Sequence, residues 1–139
     1  MTTMSKKEIL AALNANPICH FATVEGSKPH VRGMAMVKAD ENGLIFQGWT
    51  LKDMHHQIMK NPEVELCFNT KDGKQIRVSG RAEIVDDMSL KQEIVAQRSL
   101  MKPIVDEKGW DVVAIYRIRG KASVWERTDN FTPKTTVEI

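Results

Sequence analysis

The chain has 139 residues, enough for one domain with a real core and short for two. Its composition, 42% hydrophobic and 27% charged, is ordinary for a soluble protein, and a net charge of +2 with the basic residues scattered argues against a nucleic-acid surface. No apolar run approaches the roughly 20 residues of a membrane-spanning helix, and the polar stretch Met1 to Glu8 lacks the apolar core of a signal peptide. Cys19 and Cys67 lie far apart without a CxxC spacing, so reduced thiols in a cytoplasmic protein are expected.

Ser5-Lys6-Lys7-Glu8 fits a capping box, and Ile9, Leu10 and Leu13 continue as the apolar stripe of a helix that Asn14 to Pro17 stops. Ile18 to Val24 reads as a strand. Glu25 to Lys28 turns it into a second, in which Arg32, Met34, Met36 and Lys38 alternate with Val31, Gly33, Ala35 and Val37. The acidic turn Asp40 to Gly43 leads to a strand from Leu44 to Gln47. Gly48, Trp49 and Thr50 then lead to Lys52 and a short helix ending at Asn61-Pro62.

Glu63 to Phe68 alternates strictly, and Lys71-Asp72-Gly73-Lys74 predicts a hairpin into a strand from Gln75 to Val85. Asp87 to Leu100 reads as a helix and Met101 to Gly109 as a loop. Trp110 to Arg119 and Lys121 to Arg127 read as two strands parted by Gly120. The polar tail from Thr128 to Ile139 is expected to order only against a partner. About seven strands joined by hairpins, with two to three flanking helices, predict a single domain over residues 1–139, mainly β with α, built as a small closed antiparallel barrel.

The stretch from Lys28 to Pro62 carries the most chemistry. Two strands bear an outward arginine, Arg32, and Gly48 allows a ligand close approach. The junction at Thr50 to Lys52 offers a hydroxyl, an ammonium and free helix-start amides, a set suited to a phosphate on a flat, partly apolar molecule. The competing role for Arg32 is an ion pair with a sheet glutamate such as Glu65; for Lys52 and Gln75 it is plain surface polarity. His55 and His56 are adjacent rather than one helical turn apart and read as solvated residues. His20 and His30, on neighbouring strands, lack a third ligand, so no metal is expected.

From Phe21 to Val85 the chain resembles the FMN-binding split-barrel family of pyridoxamine-phosphate-oxidase-like proteins. The resemblance is carried by Phe21-Ala22-Thr23-Val24, Pro29-His30-Val31-Arg32, Gly43-Leu44-Ile45-Phe46 and the block from Thr50, Lys52 and Asp53 through Gln57 to Asn61-Pro62, Val64 and Glu65. Gln75 to Ala82 completes it. The resemblance implies an antiparallel split β-barrel, a homodimer with FMN at its interface, and an oxidoreductase acting on a small molecule, nitro-group reduction being one reaction of the family. It also implies that Arg32, Gly33, Met34, Ala35, Gln47, Gly48, Trp49, Thr50 and Lys52 hold the flavin, joined by Gln75. His30, Tyr116 and Trp125 are further positions that could approach the ring.

Two departures stand out. The Arg-Lys phosphate pair of the true oxidases aligns with Asp53-Met54, so Lys52 must serve instead. Their substrate-phosphate tyrosine and arginine align with Glu93 and Gln97, which argues against pyridoxamine phosphate as substrate. A flavin-binding protein without turnover, and a split barrel that binds haem or a deazaflavin, are the alternatives.

Overall fold

The computed structural model describes residues 4–129, 131, 132 and 134–139. The capping box forms as expected and starts α1 (Lys6–Ala15): the Ser5 hydroxyl accepts from the Glu8 amide at 3.2 Å, and the Glu8 carboxylate accepts from the Ser5 amide at 3.1 Å. After it come β1 (Ile18–Glu25), β2 (Lys28–Ala35), β3 (Lys38–Asp40), β4 (Gly43–Trp49), α2 (Asp53–Lys60), β5 (Glu63–Asn69) and β6 (Lys74–Ile84). Then follow α3 (Met88–Gln97), α4 (Lys102–Lys108), β7 (Val113–Glu126) and β8 (Val137–Glu138).

All strand pairs are antiparallel, in the order β2-β1-β5-β6-β7-β4-β3, with β8 added to β7. The two ends of this path, β2 and β3, are separated in sequence by Met36 and Val37 alone. The sheet therefore curls until its ends approach, joined by the chain rather than by a ladder. This is a split barrel, not the closed one that the hairpin count suggests. At the seam the strand expected from Pro29 to Lys38 breaks: Met36 turns into the core, its amide donating to the Pro17 carbonyl at 2.9 Å, and Val37 donates to Ile45 at 2.9 Å.

Alternate residues of the central strands serve two cores. Phe21, Leu44, Phe46, Leu66, Phe68, Ile76, Val78, Tyr116 and Ile118 fill the barrel, with α1 closing one side through Ile9, Leu10 and Leu13. The opposite faces of β4 and β7 give Ile45, Val113 and Ile115 to a second cluster under α3 and α4, with Ile94, Val95, Met101 and Val105. Burial on both faces explains the near-continuous apolar runs of these strands.

The last third of the chain departs from expectation. Met101 to Lys108 is helical: a short 3-10 turn, Ser99–Met101, runs into α4, with Pro103 in the first turn, where its missing N–H costs nothing, and Gly109 caps it at φ 90°. There are thus four α-helices among the described residues, not two or three. Trp110–Val112 is a 3-10 turn, and the two strands expected on either side of Gly120 are one continuous β7. Gly120 does not break the strand because it lies against Gly80; a Cβ on Gly120 would stand 2.0 Å from the Ser79 carbonyl oxygen. The end of the tail pairs within the chain: β8 returns to β7, the Ile139 amide donates to Gly120 at 3.0 Å, and the Ile139 side chain is buried, while positions 130 and 133 of the tail lie outside the described residues.

Candidate functional site

The seam of the barrel is a cleft of about 740 Å³. One wall is β2, from Arg32 through Gly33 and Met34 to Ala35; the other is the end of β4, Gln47, Gly48 and Trp49, beyond its pairing with β3. The start of α2, Leu51 to His55, makes a third side, and Tyr116 of β7 and Arg98 after α3 complete it. The space exists because β2 ends the sheet while β4 outruns the short β3.

Arg32 does not point outward as expected. It sits opposite the buried Phe21, on the face of β2 turned to the cleft, and donates from Nη1 to the Thr23 hydroxyl at 2.9 Å and the Phe21 carbonyl at 3.2 Å. Its Nη2 donates to Gln57 Oε1 at 2.9 Å. The pair with Glu65 does not form. Burial pulls the guanidinium below its ordinary pKa range, partly offset by the Asp53 carboxylate. Thr23 and Gln57, themselves buried, hold the fork in place and leave guanidinium N–H groups for a ligand.

Lys52 is the N-cap of α2 and makes no side-chain cap bond, so among the described residues no side chain closes that helix start. Asp53 follows in the first turn. Gln47 donates from Nε2 to the Gly48 carbonyl at 2.6 Å. Gly48 lies on the buried ring of Tyr116: a Cβ there would come within 2.8 Å of Cε2.

Two expected site residues stay outside. Thr50 is not part of the lining; its amide donates to the Val112 carbonyl at 2.9 Å. Gln75 lies in a second depression of about 340 Å³ with Asn69, Arg77 and Trp125. It pairs with Trp125, nine residues along β7 from Tyr116, or roughly 30 Å of extended strand. Gln75 is therefore not part of the lining that Tyr116 helps to form. Trp125 stays with Gln75, under the Arg77 guanidinium at 4.4 Å, and His30 faces Glu25 at 3.2 Å.

Tyr116 does line the cleft, and its hydroxyl lies 2.8 Å from His55 Nδ1. His55 is therefore no solvated helix residue, and the register sets His20 opposite Gly33 and His30 opposite Thr23, not beside each other. Among the described residues no three His, Cys, Asp or Glu side chains are gathered as metal ligands. Arg98 was not foreseen: from the end of α3 its Nη2 donates to the Ala35 carbonyl at 2.9 Å. Only its charge beside the helix stop could have drawn notice. Glu93 and Gln97, by contrast, are exposed on α3 and outside the lining.

The donor set has one electrostatic sense. Arg32, Lys52 and Arg98 face a single carboxylate, Asp53, beside an uncapped helix start, with Met34, Met54, Trp49 and Leu51 as apolar surface. Such a cleft suits an anionic molecule with a flat apolar part.

Solved structures of the same fold include a NimC/NimA family protein from Clostridium acetobutylicum, 24% identical, with a TM-score of 0.78 over 96% of this chain and 92% of that one. General Stress Protein 26 from Bacillus anthracis is 18% identical, with a TM-score of 0.69 over 98% and 100% of the chains. An FAD-binding protein from Mesorhizobium loti is 20% identical, with a TM-score of 0.65 over 88% and 93%. No curated protein matches the sequence. The family model described as pyridoxamine 5'-phosphate oxidase matches residues 5–128, nearly the whole folded chain. With its split barrel and the cleft at the seam, this protein belongs to the pyridoxamine 5'-phosphate oxidase family.

Proposed function

We propose that the chain is an FMN-binding flavoprotein, an oxidoreductase acting on a small molecule other than pyridoxamine phosphate. The observation that carries this reading is the convergence of Arg32, Lys52 and Arg98 on one cleft beside an uncapped helix start and an apolar wall. FMN offers the matching chemistry, a dianionic phosphate on a flat ring system. Lys52 and the first amides of α2 hold the phosphate, and Arg32 reaches it from β2. Met34, Trp49 and Met54 give apolar contact to the ring. Bound there, the flavin supplies hydride or single-electron transfer, while the protein supplies position and electrostatics. The discrimination against pyridoxamine phosphate rests on missing partners at positions 93 and 97 rather than on repulsion, since Glu93 is not in the cleft.

The functional unit in this reading is a homodimer. The outer face of β1 and β2 presents Ile18 and Val31, both about two-thirds exposed at 66% and 67%, next to Gly33 and Ala35 at the cleft wall. The aromatic stretch Trp110 to Tyr116 does not supply this face, since it is not a sheet edge and Tyr116 is buried. A partner chain is also the means by which a Gln75 reaches the flavin. Two unpaired thiols, Cys19 and Cys67, fit a reducing, cytoplasmic setting. None of the described helices is long and apolar enough to cross a membrane.

The test is a titration of flavin-free protein with FMN and with riboflavin, which lacks only the phosphate. Lys52→Ala should weaken FMN by about one to two powers of ten and riboflavin far less. Equal losses for both flavins remove Lys52 from the phosphate site, and failure to bind either removes the flavin reading. Light scattering that returns a monomer at micromolar concentration removes the dimer.

A further inference from the structure

We propose that Tyr116 fixes His55 as a neutral hydrogen-bond donor, with its Nε2–H offered to an anionic oxygen of the ligand at the start of α2. Tyr116 is anchored on the central strand β7, only 1% exposed, with its ring between the backbone of Gly48 and the imidazole of His55. The 2.8 Å contact between its hydroxyl and His55 Nδ1 could form with the proton on either atom. The surroundings decide. His55 is the partner of this hydroxyl among the described residues, so a proton on Nδ1 would leave the buried O–H without an acceptor. If the hydroxyl donates instead, both groups are satisfied and the imidazole carries its proton on Nε2.

Protonation states agree with this arrangement. Burial raises the Tyr116 phenol above its usual range, so it keeps its proton. Burial first, and the neighbouring His56 second, lower the His55 imidazolium, so the ring is neutral near pH 7. His55 stands in the first turn of α2, just after the Lys52 ammonium and the uncapped amides. A neutral donor there adds a directed hydrogen bond to a site otherwise built from charges. Tyr116 is then a positioning residue, and His55 a ligand-contacting one. Gly48 belongs to the same device, because a side chain on it would displace the ring that orients His55.

This inference rests on the cleft being an anion site, with the FMN phosphate as its first candidate. The test begins without ligand: two-bond proton–nitrogen correlation spectra of the histidine rings at pH 7.5, with His55 assigned by its loss in His55→Leu. The expected tautomer has Nδ1 bare and Nε2 protonated, and Tyr116→Phe should turn it into a mixture while keeping the ring against Gly48. A merely structural Tyr116 would leave the tautomer unchanged, and that result, or an Nδ1–H tautomer in the parent protein, overturns the proposal. FMN and inorganic phosphate are then added separately. A shift of the His55 Nε2 resonance with either one supports the proposal, as does a roughly tenfold loss of FMN affinity in His55→Leu with riboflavin little changed. FMN that binds without moving His55 overturns this proposal alone. Phosphate that moves His55 while FMN fails to bind overturns the flavin reading alone. No response to either ligand overturns both.

Discussion

Arg32 and Gln57 are joined by a 2.9 Å hydrogen bond from Nη2 to Oε1 that ties the edge strand β2 to α2 beside the cleft. Gln57 is buried, and its oxygen also accepts from the Thr23 hydroxyl. The arginine is therefore part of the fold as well as of the cleft. Arg32→Ala strips a buried oxygen of a charged donor, and should destabilise the ligand-free protein by about 1–3 kcal/mol in urea unfolding. An unchanged midpoint would mean that water replaces the guanidinium without loss. Lys52→Ala, with no comparable bonds, is the cleaner probe of ligand binding.

Gly48→Ala should be costly for another reason. Its Cβ would meet the Tyr116 ring at 2.8 Å, so a ring buried in the core would have to shift. Overpacking of this kind costs about 1–3 kcal/mol. Denaturant unfolding measures it, and histidine spectra of the variant should report a disturbed His55.

The lowered pKa of His55 sets a pH dependence. Between its folded pKa and the ordinary value of about 6.5, the unfolded chain binds more protons than the folded one. Stability therefore rises with pH through that window and falls on acidification below about 6.5. The urea midpoint of the parent protein should drop from pH 7.5 to pH 5 by more than that of His55→Leu. Parallel curves would show that His55 titrates alike in both states.

The two thiols should be slow nucleophiles. Burial, with the nearby Cys67 second, pushes Cys19 up to about 12, and burial also raises Cys67. Alkylation at pH 8 followed by mass spectrometry should leave Cys19 unlabelled in the native protein, Cys67 reacting slowly and both fully once unfolded. Fast native labelling of Cys19 would show that β1 opens locally.

The elements were legible wherever the sequence carried its own punctuation. The capping box at Ser5 and Glu8, the turn at Gly26 and the alternation from Glu63 to Phe68 all describe local events. The break at Met36 was not legible, since a strand-like alternation runs through it and only the meeting of two sheet edges forces the turn. Gly120 was misleading for a similar reason: its use lies in its contact with Gly80, a residue far away in sequence. In the cleft, the walls on β2 and β4 could be read from one contiguous stretch. Tyr116 was only one of three candidates and Arg98 was missed, because both arrive from elements much later in the chain. The orientation of Arg32 was missed because its fixing partners, Thr23 and Gln57, look like ordinary surface polars in sequence.

A sheet that does not close must leave two free borders, and borders invite other chains. At β3 the protein deals with this through α1. The Asn14 side chain donates to the Ala39 carbonyl at 2.8 Å and accepts from the Ala39 amide at 2.9 Å, so a primary amide stands in for the peptide of a neighbouring strand. The helix thereby acts as a stopper: it shields this border from intermolecular strand pairing with a single residue, and it leaves β2, at the other border, as the open margin of the molecule.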